Sequence, residues 1–200
     1  MAPPARLQAG LPRRRTRALL HHHGDQDRPA ECPYATGAHP CLRADTPVID
    51  PAAVCIRAAT YLPPDNRLSP TGRSPVDGTA FDLRYGQPIG DWELDVAYTD
   101  LDSDAAGRAW ITLRRKIGHI YVRLDQSFGY AEIYTAHDLP DARRRRGGIG
   151  IEPMTAPPNA LQTHEDVIPL QPGSSHTASW GIAVPARLEH LVQSRPSEIT

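Results

Sequence analysis

Apolar residues alternate with polar ones along much of the chain, and the alternation has a period of two. Val54, Ile56, Ala58, Thr60 and Leu62 share one side of such a pattern; Trp92, Leu94 and Val96 share one side of another, with Glu93 and Asp95 on the reverse. Successive side chains of an extended strand point to opposite faces, so each stretch predicts a strand with one buried side. Trp110-Ile111-Thr112-Leu113-Arg114, Ile120-Tyr121-Val122-Arg123-Leu124 and Ala131-Glu132-Ile133-Tyr134-Thr135 are rich in aromatic and β-branched residues and are separated by Gly118, Asp125-Gln126-Ser127 and Gly129. They predict three consecutive antiparallel strands. Asp77-Gly78 predicts a tight turn leading into a strand over residues 79–84. Pro172-Gly173 predicts a turn into a last strand carrying His176, Ala178, Trp180 and Ile182 on one face. The glycine and proline within Tyr34-Ala35-Thr36-Gly37-Ala38-His39-Pro40-Cys41-Leu42 mark a strand edge.

The run Gly148-Ile149-Gly150-Ile151-Glu152 ends in a carboxylate and is followed at once by Pro153 and the bend-forming Pro157-Pro158-Asn159. That order predicts a strand that stops at a sheet rim and presents Glu152 there. Composition agrees with strands and turns. The 200 residues are 40% hydrophobic and include 21 prolines and 15 glycines, which favours one mostly-β domain over a helical bundle. Residues Met1 to Glu31 differ from the rest. They hold Pro3-Pro4, the basic run Arg13-Arg14-Arg15, Arg17 and the triplet His21-His22-His23, with no apolar period, and are expected to be disordered. Residues 32–200 then form the domain.

A formal net charge of -1 provides no field to gather nucleic acid, and the Arg143–Arg146 run has no aromatic platform beside it, so it reads as a solvated loop. No apolar run is long enough to span a bilayer. Cys32, Cys41 and Cys55 are odd in number and lack Cys-x-x-Cys spacing, as expected of reduced thiols in a cytoplasmic protein. Nucleotide loops, nucleophile elbows and paired metal-ligand motifs are absent from the text, and no cofactor is expected. What remains are acid and base candidates at strand edges: His39, Asp95, Glu132, Glu152 and His176.

Several segments carry a resemblance. Pro75-Val76-Asp77-Gly78-Thr79-Ala80-Phe81-Asp82-Leu83-Arg84, Ile89-Gly90, Leu94-Asp95-Val96-Ala97-Tyr98, Ile133-Tyr134-Thr135, residues 151–160 and Leu170-Gln171-Pro172-Gly173-Ser174-Ser175-His176-Thr177 resemble, in order and spacing, the aldose 1-epimerases (galactose mutarotases). The resemblance implies an antiparallel β-sandwich that interconverts the α and β anomers of a free aldose without a cofactor. It implies that Glu152 is the general base, His39 in Gly37-Ala38-His39-Pro40 the general acid, and Asp95 a ligand for sugar hydroxyls. Glu132 stands where a glutamine is usual and is expected to line the same groove; Cys41 stands where an aromatic is usual, and His176 is expected to be structural. Family members carry further N-terminal strands, with an arginine and a second histidine lining the groove. Met1 to Glu31 has no counterpart, so the resemblance implies a member truncated at its N-terminus, with a sandwich incomplete there. A carbohydrate-binding β-sandwich without turnover and an inactive fragment are the competing readings.

Overall fold

A computed structural model describes residues 16–27 and 29–184 of the chain. In order, its strands are β1 (Thr16–Asp25), β2 (Cys32–Tyr34), β3 (Cys41–Leu42), β4 (Ala53–Ile56), β5 (Ala58–Leu62), β6 (Ser74–Pro75) and β7 (Gln87–Pro88). They continue with β8 (Asp95–Leu101), β9 (Ala109–Arg115), β10 (Gly118–Leu124), β11 (Tyr130–Tyr134), β12 (Ile149–Met154), β13 (Ile168–Leu170) and β14 (Ser175–Val184). The only helical pieces among the described residues are single turns at Ala142–Arg144 and Ala160–Thr163. One six-stranded sheet has the order β1-β14-β10-β9-β4-β7, a second has the order β3-β12-β11-β8-β5-β6, and β13 pairs with β2. The ladders are antiparallel. The fold is the antiparallel β-sandwich expected.

The two large sheets face each other across one core. Val54, Ile56, Ile111, Leu113, Val122 and Trp180 come from the first sheet; Val96, Tyr98, Ala131, Ile133, Ile149 and Ile151 come from the second. Burying these alternate side chains is the dominant favourable term, at about 25 cal/mol per Å² of apolar surface. The outer face of the second sheet carries a small apolar cluster of its own, in which Leu62, Ala97 and Tyr130 pack with Met154.

Four expectations are corrected. The single strand expected over Val54 to Leu62 is two strands in different sheets, β4 and β5, because the chain crosses from one sheet to the other at Arg57. Of the three consecutive strands, β9 and β10 pair, whereas β11 crosses to the second sheet and lies between β8 and β12. No strand follows Asp77-Gly78. Thr79 N donates to Val76 O, Asp82 N to Thr79 O and Gly86 N to Leu83 O, so local turns satisfy the backbone while Leu83 is driven into the core from a loop.

The fourth correction concerns the segment expected to be disordered. Residues 16–25 form β1, paired along their length with β14. Its period of two is hidden by histidine: Ala18, Leu20 and His22 turn inward, while Leu19, His21 and His23 are exposed. His22 occupies an inward position because both ring nitrogens find partners, Thr36 Oγ1 at 2.7 Å and the Trp180 indole N–H at 3.0 Å. The indole can only donate, so His22 Nε2 accepts, and Nδ1 carries the ring proton. The Arg13-Arg14-Arg15 run and residues 185–200 lie outside the described residues.

Leu113 is fully buried on β9, between β10 and β4. Leu113→Ala is expected to cost about 2–5 kcal/mol, read as a lower urea midpoint with an unchanged denaturant slope.

Candidate active site

The outer face of the second sheet brings the expected site residues together. On β11, Ala131 and Ile133 point into the core, so Tyr130, Glu132 and Tyr134 point outward. On β12 the outward positions are Gly150, Glu152 and Met154; on β8 they include Asp95 and Ala97. Glu132 is directly opposite Glu152 in the β11–β12 ladder and opposite Ala97 in the β11–β8 ladder, with Asp95 its diagonal neighbour. Three carboxyl groups thus stand in a row across three adjacent strands.

His39 reaches the same face from the other side of β12. Residues 36–42 run along that edge, pairing Gly37 with Met154 and Cys41 with Gly150. This common register places His39 directly opposite Glu152. Ala38 N donates to Pro153 O at 3.0 Å and Ile151 N to Pro40 O at 3.3 Å, so the flanking pairs are the hydrogen-bonded ones and His39–Glu152 is the closer, non-hydrogen-bonded pair. His39 Nε2 lies 2.9 Å from Glu152 Oε1. This close approach is not an aligned hydrogen bond, and Glu152 Oε1 receives no hydrogen bond among the described residues.

The expectation that the strand stops at Glu152 is corrected, since β12 continues through Pro153 to Met154. Pro153 turns its carbonyl toward residues 36–42, and its missing N–H falls on that same edge, where it costs β11 no bond. Glu152 therefore sits within the sheet face instead of at its rim. Its side chain is 13% exposed, against 57% for His39.

Burial governs the electrostatics. Desolvation, followed by repulsion from Asp95, pushes the Glu152 carboxyl up to about 7. Burial, then Asp95 and Glu152, push Glu132 up to about 8. Asp95 is also raised, by burial first and by Asp138 next, with His137, a hydrogen bond from Glu132 and His39 pulling the other way. Beyond the row, the Tyr134 hydroxyl donates to Asp138 Oδ1, and its ring meets His39 edge-on at 6.0 Å between centroids.

Sequence reasoning did not single out Tyr134, His137 or Asp138, which reach the site only because β11 ends beside β8. Nor did it single out Gly150. A side chain on Gly150 would overlap Glu152 Oε1, so the glycine makes room for the carboxylate to lie back along its own strand. His176 stays apart, on β14 in the first sheet with its ring tilted against Tyr34. The Arg143–Arg146 run is partly architectural: Arg143 pairs with Asp141, while Arg146 binds Asp50 and the carbonyls of Gly90 and Trp92. Cys32, Cys41 and Cys55 are unpaired. Among the described residues no cluster of His, Cys, Asp or Glu is arranged to hold a metal ion, and no helix is long and apolar enough to cross a membrane. Two surface cavities of about 270 and 280 Å³ lie elsewhere, one lined by Thr79, Tyr85 and Trp92 and the other by Thr71, Arg73 and Glu165.

Aldose 1-epimerase sequences match residues 15–183, a span that begins just before β1. The chain belongs to the aldose 1-epimerase family. Its fold is similar to that of the GalM/aldose epimerase homologue of C. elegans, with a TM-score of 0.71 at 16% identity over 84% of this chain and 55% of that one. It is similar also to a galactose mutarotase related enzyme of Lactobacillus acidophilus, with a TM-score of 0.67 at 14% identity over 90% of this chain and 60% of that one. In sequence it is 24% identical over 151 residues to the uncharacterized protein YihR of Escherichia coli K12, covering 75% of this chain and 46% of that protein. The chain therefore spans about half the length of these relatives.

Gly150→Ala is expected to cost about 1–3 kcal/mol through overpacking and to push the Glu152 carboxylate out of contact with His39. Thermal melting measures the first effect, and the chemical shifts of the His39 ring measure the second.

Proposed function

We propose that this chain binds a free hexose-like aldose on the outer face of the second sheet and interconverts its anomers by general acid–base catalysis. The observation that carries the reading is the 2.9 Å approach of His39 Nε2 to Glu152 Oε1, beside Asp95 and Glu132. An anomer changes when the proton leaves the anomeric hydroxyl, the ring oxygen gains one and the C1–O5 bond breaks. Rotation about C1–C2 and reclosure on the other face of the aldehyde give the second anomer, and both protons return. Glu152 takes the hydroxyl proton and the His39 imidazolium supplies the other. A sugar seated between them replaces their direct contact, while Asp95 accepts hydrogen bonds from its hydroxyls.

The environment suits that assignment. A solvated carboxylate is a poor base near neutrality, and burial that raises Glu152 to about 7 makes its proton affinity fit the task. The unfilled acceptor capacity of Oε1 gives the incoming hydroxyl a place to donate. No step calls for a redox group or an activated phosphate.

One observation favours a second reading. Because the chain covers only about half of its relatives, the face can be a sugar-binding surface that lacks turnover. Polarimetry on freshly dissolved α-glucose separates the two, since a binding surface leaves the optical drift at its spontaneous rate. For the enzyme, Glu152→Gln is expected to lower the rate by about 10²–10⁴-fold. Equal acceleration by wild type and variant would remove Glu152 as the base.

The pH profile supplies another check. Glu152 must be ionised to accept a proton, so kcat/KM is expected to fall tenfold per pH unit as pH drops below about 7. A flat profile across that range would contradict the assignment.

A further inference from the structure

Glu132 is the middle carboxyl of the row. β11 lies between β8 and β12, so Glu132 faces Asp95 on one side and Glu152 on the other. From β8, the neutral Tyr98 hydroxyl, buried in the core and donating to Phe81 O, also lies within electrostatic reach. The basic groups of the site stand at its ends. His39, on the edge segment, contacts Glu152, and His137, beyond β11, acts on Asp95 together with the opposing charge of Asp138.

Asp95 is the diagonal neighbour of Glu132 on the same sheet face, within reach of its side chain. Ionised carboxylates only accept, so a hydrogen bond between two carboxyl groups requires a proton on one of them. The outer member has histidine side chains beside it, whereas the middle one stands between two other carboxyl groups. The proton belongs on Glu132.

We propose that Glu132 is a positioning residue held as the neutral acid, donating a hydrogen bond to Asp95 so that Asp95 stays ionised and oriented to bind sugar hydroxyls. This rests on the reading of Asp95 as a sugar ligand. The proton itself is a property of the free protein and is testable without turnover. When it leaves, three adjacent anions repel one another and Asp95 loses the donor that orients it.

Two measurements on wild type and Glu132→Gln test the assignment. In an infrared pH titration, the wild type is expected to keep a protonated-carboxyl C=O band above neutrality that fades with a midpoint of about 8. Glu132→Gln is expected to lose that component and to keep only the one from Glu152, which fades at about 7. The second measurement is thermal stability against pH. Because the folded protein holds the Glu132 proton more tightly than the unfolded chain does, its stabilisation is complete below the unfolded value and is lost as pH rises through the folded one. The glutamine amide cannot titrate, so the melting temperature of Glu132→Gln relative to wild type is expected to be unchanged below about pH 4, to climb up to about pH 8 and to level off above it.

A wild type without a protonated carboxyl above neutrality would overturn the proposal, even if the variant failed to fold. So would a band whose midpoint the substitution leaves in place. If instead the band behaves as expected while the wild type fails to hasten mutarotation, the proton assignment stands and the aldose epimerase reading falls.

Discussion

Three carboxyl groups side by side on a half-buried sheet face repel one another whenever they ionise together. Two unit charges about 5 Å apart in a partly desolvated site cost on the order of 3 kcal/mol, comparable to a buried apolar side chain. The face exists only because something holds it open against that repulsion. That something is the core beneath, where Ala131 and Ile133 of β11, Ile149 and Ile151 of β12, and Val96 of β8 are locked between the sheets. Each outward carboxyl is the obligatory partner of an inward apolar residue on the same strand. Relieving the repulsion by letting a strand rotate would expose a core side chain.

The same constraint explains why a histidine stands at the edge of β12. On the side of β12 away from β11, whatever pairs there decides whether Glu152 faces water or a basic group. Residues 36–42 pair there in a broken fashion, since Pro40 and Pro153 each withhold an N–H from the ladder. The remaining bonds suffice to set the register, and the register puts His39 across from Glu152 at the position where side chains lie closest. Gly150 completes the arrangement by leaving its side-chain volume to the carboxylate. Proline, glycine and register together make an acid and a base meet without a long side chain reaching for either.

Much of the fold was legible. Aromatic and β-branched runs located β9, β10 and β11, and period-two alternation located β14. It failed at β1, where His22 fills an inward site by satisfying both ring nitrogens, and at residues 79–84, where alternating apolar residues are buried from turns instead of a strand. It also merged β4 with β5, because a chain that changes sheet at Arg57 keeps its apolar residues buried and leaves the pattern intact. Alternation reports which residues are covered, and it is silent about what covers them.

The candidate site divides in the same way. The text alone determined the residue types that can move a proton, the strands they sit on, and, through ordered segments such as Gly37-Ala38-His39-Pro40 and Ile151-Glu152-Pro153, the family. Tertiary structure decided which carboxyls became neighbours, since Asp95, Glu132 and Glu152 are brought together only by the order β8-β11-β12, and no local pattern encodes strand order. It also decided their proton affinities. Desolvation and the charge of a neighbouring strand are properties of a place in the fold, and a glutamate has neither until the chain has closed around it.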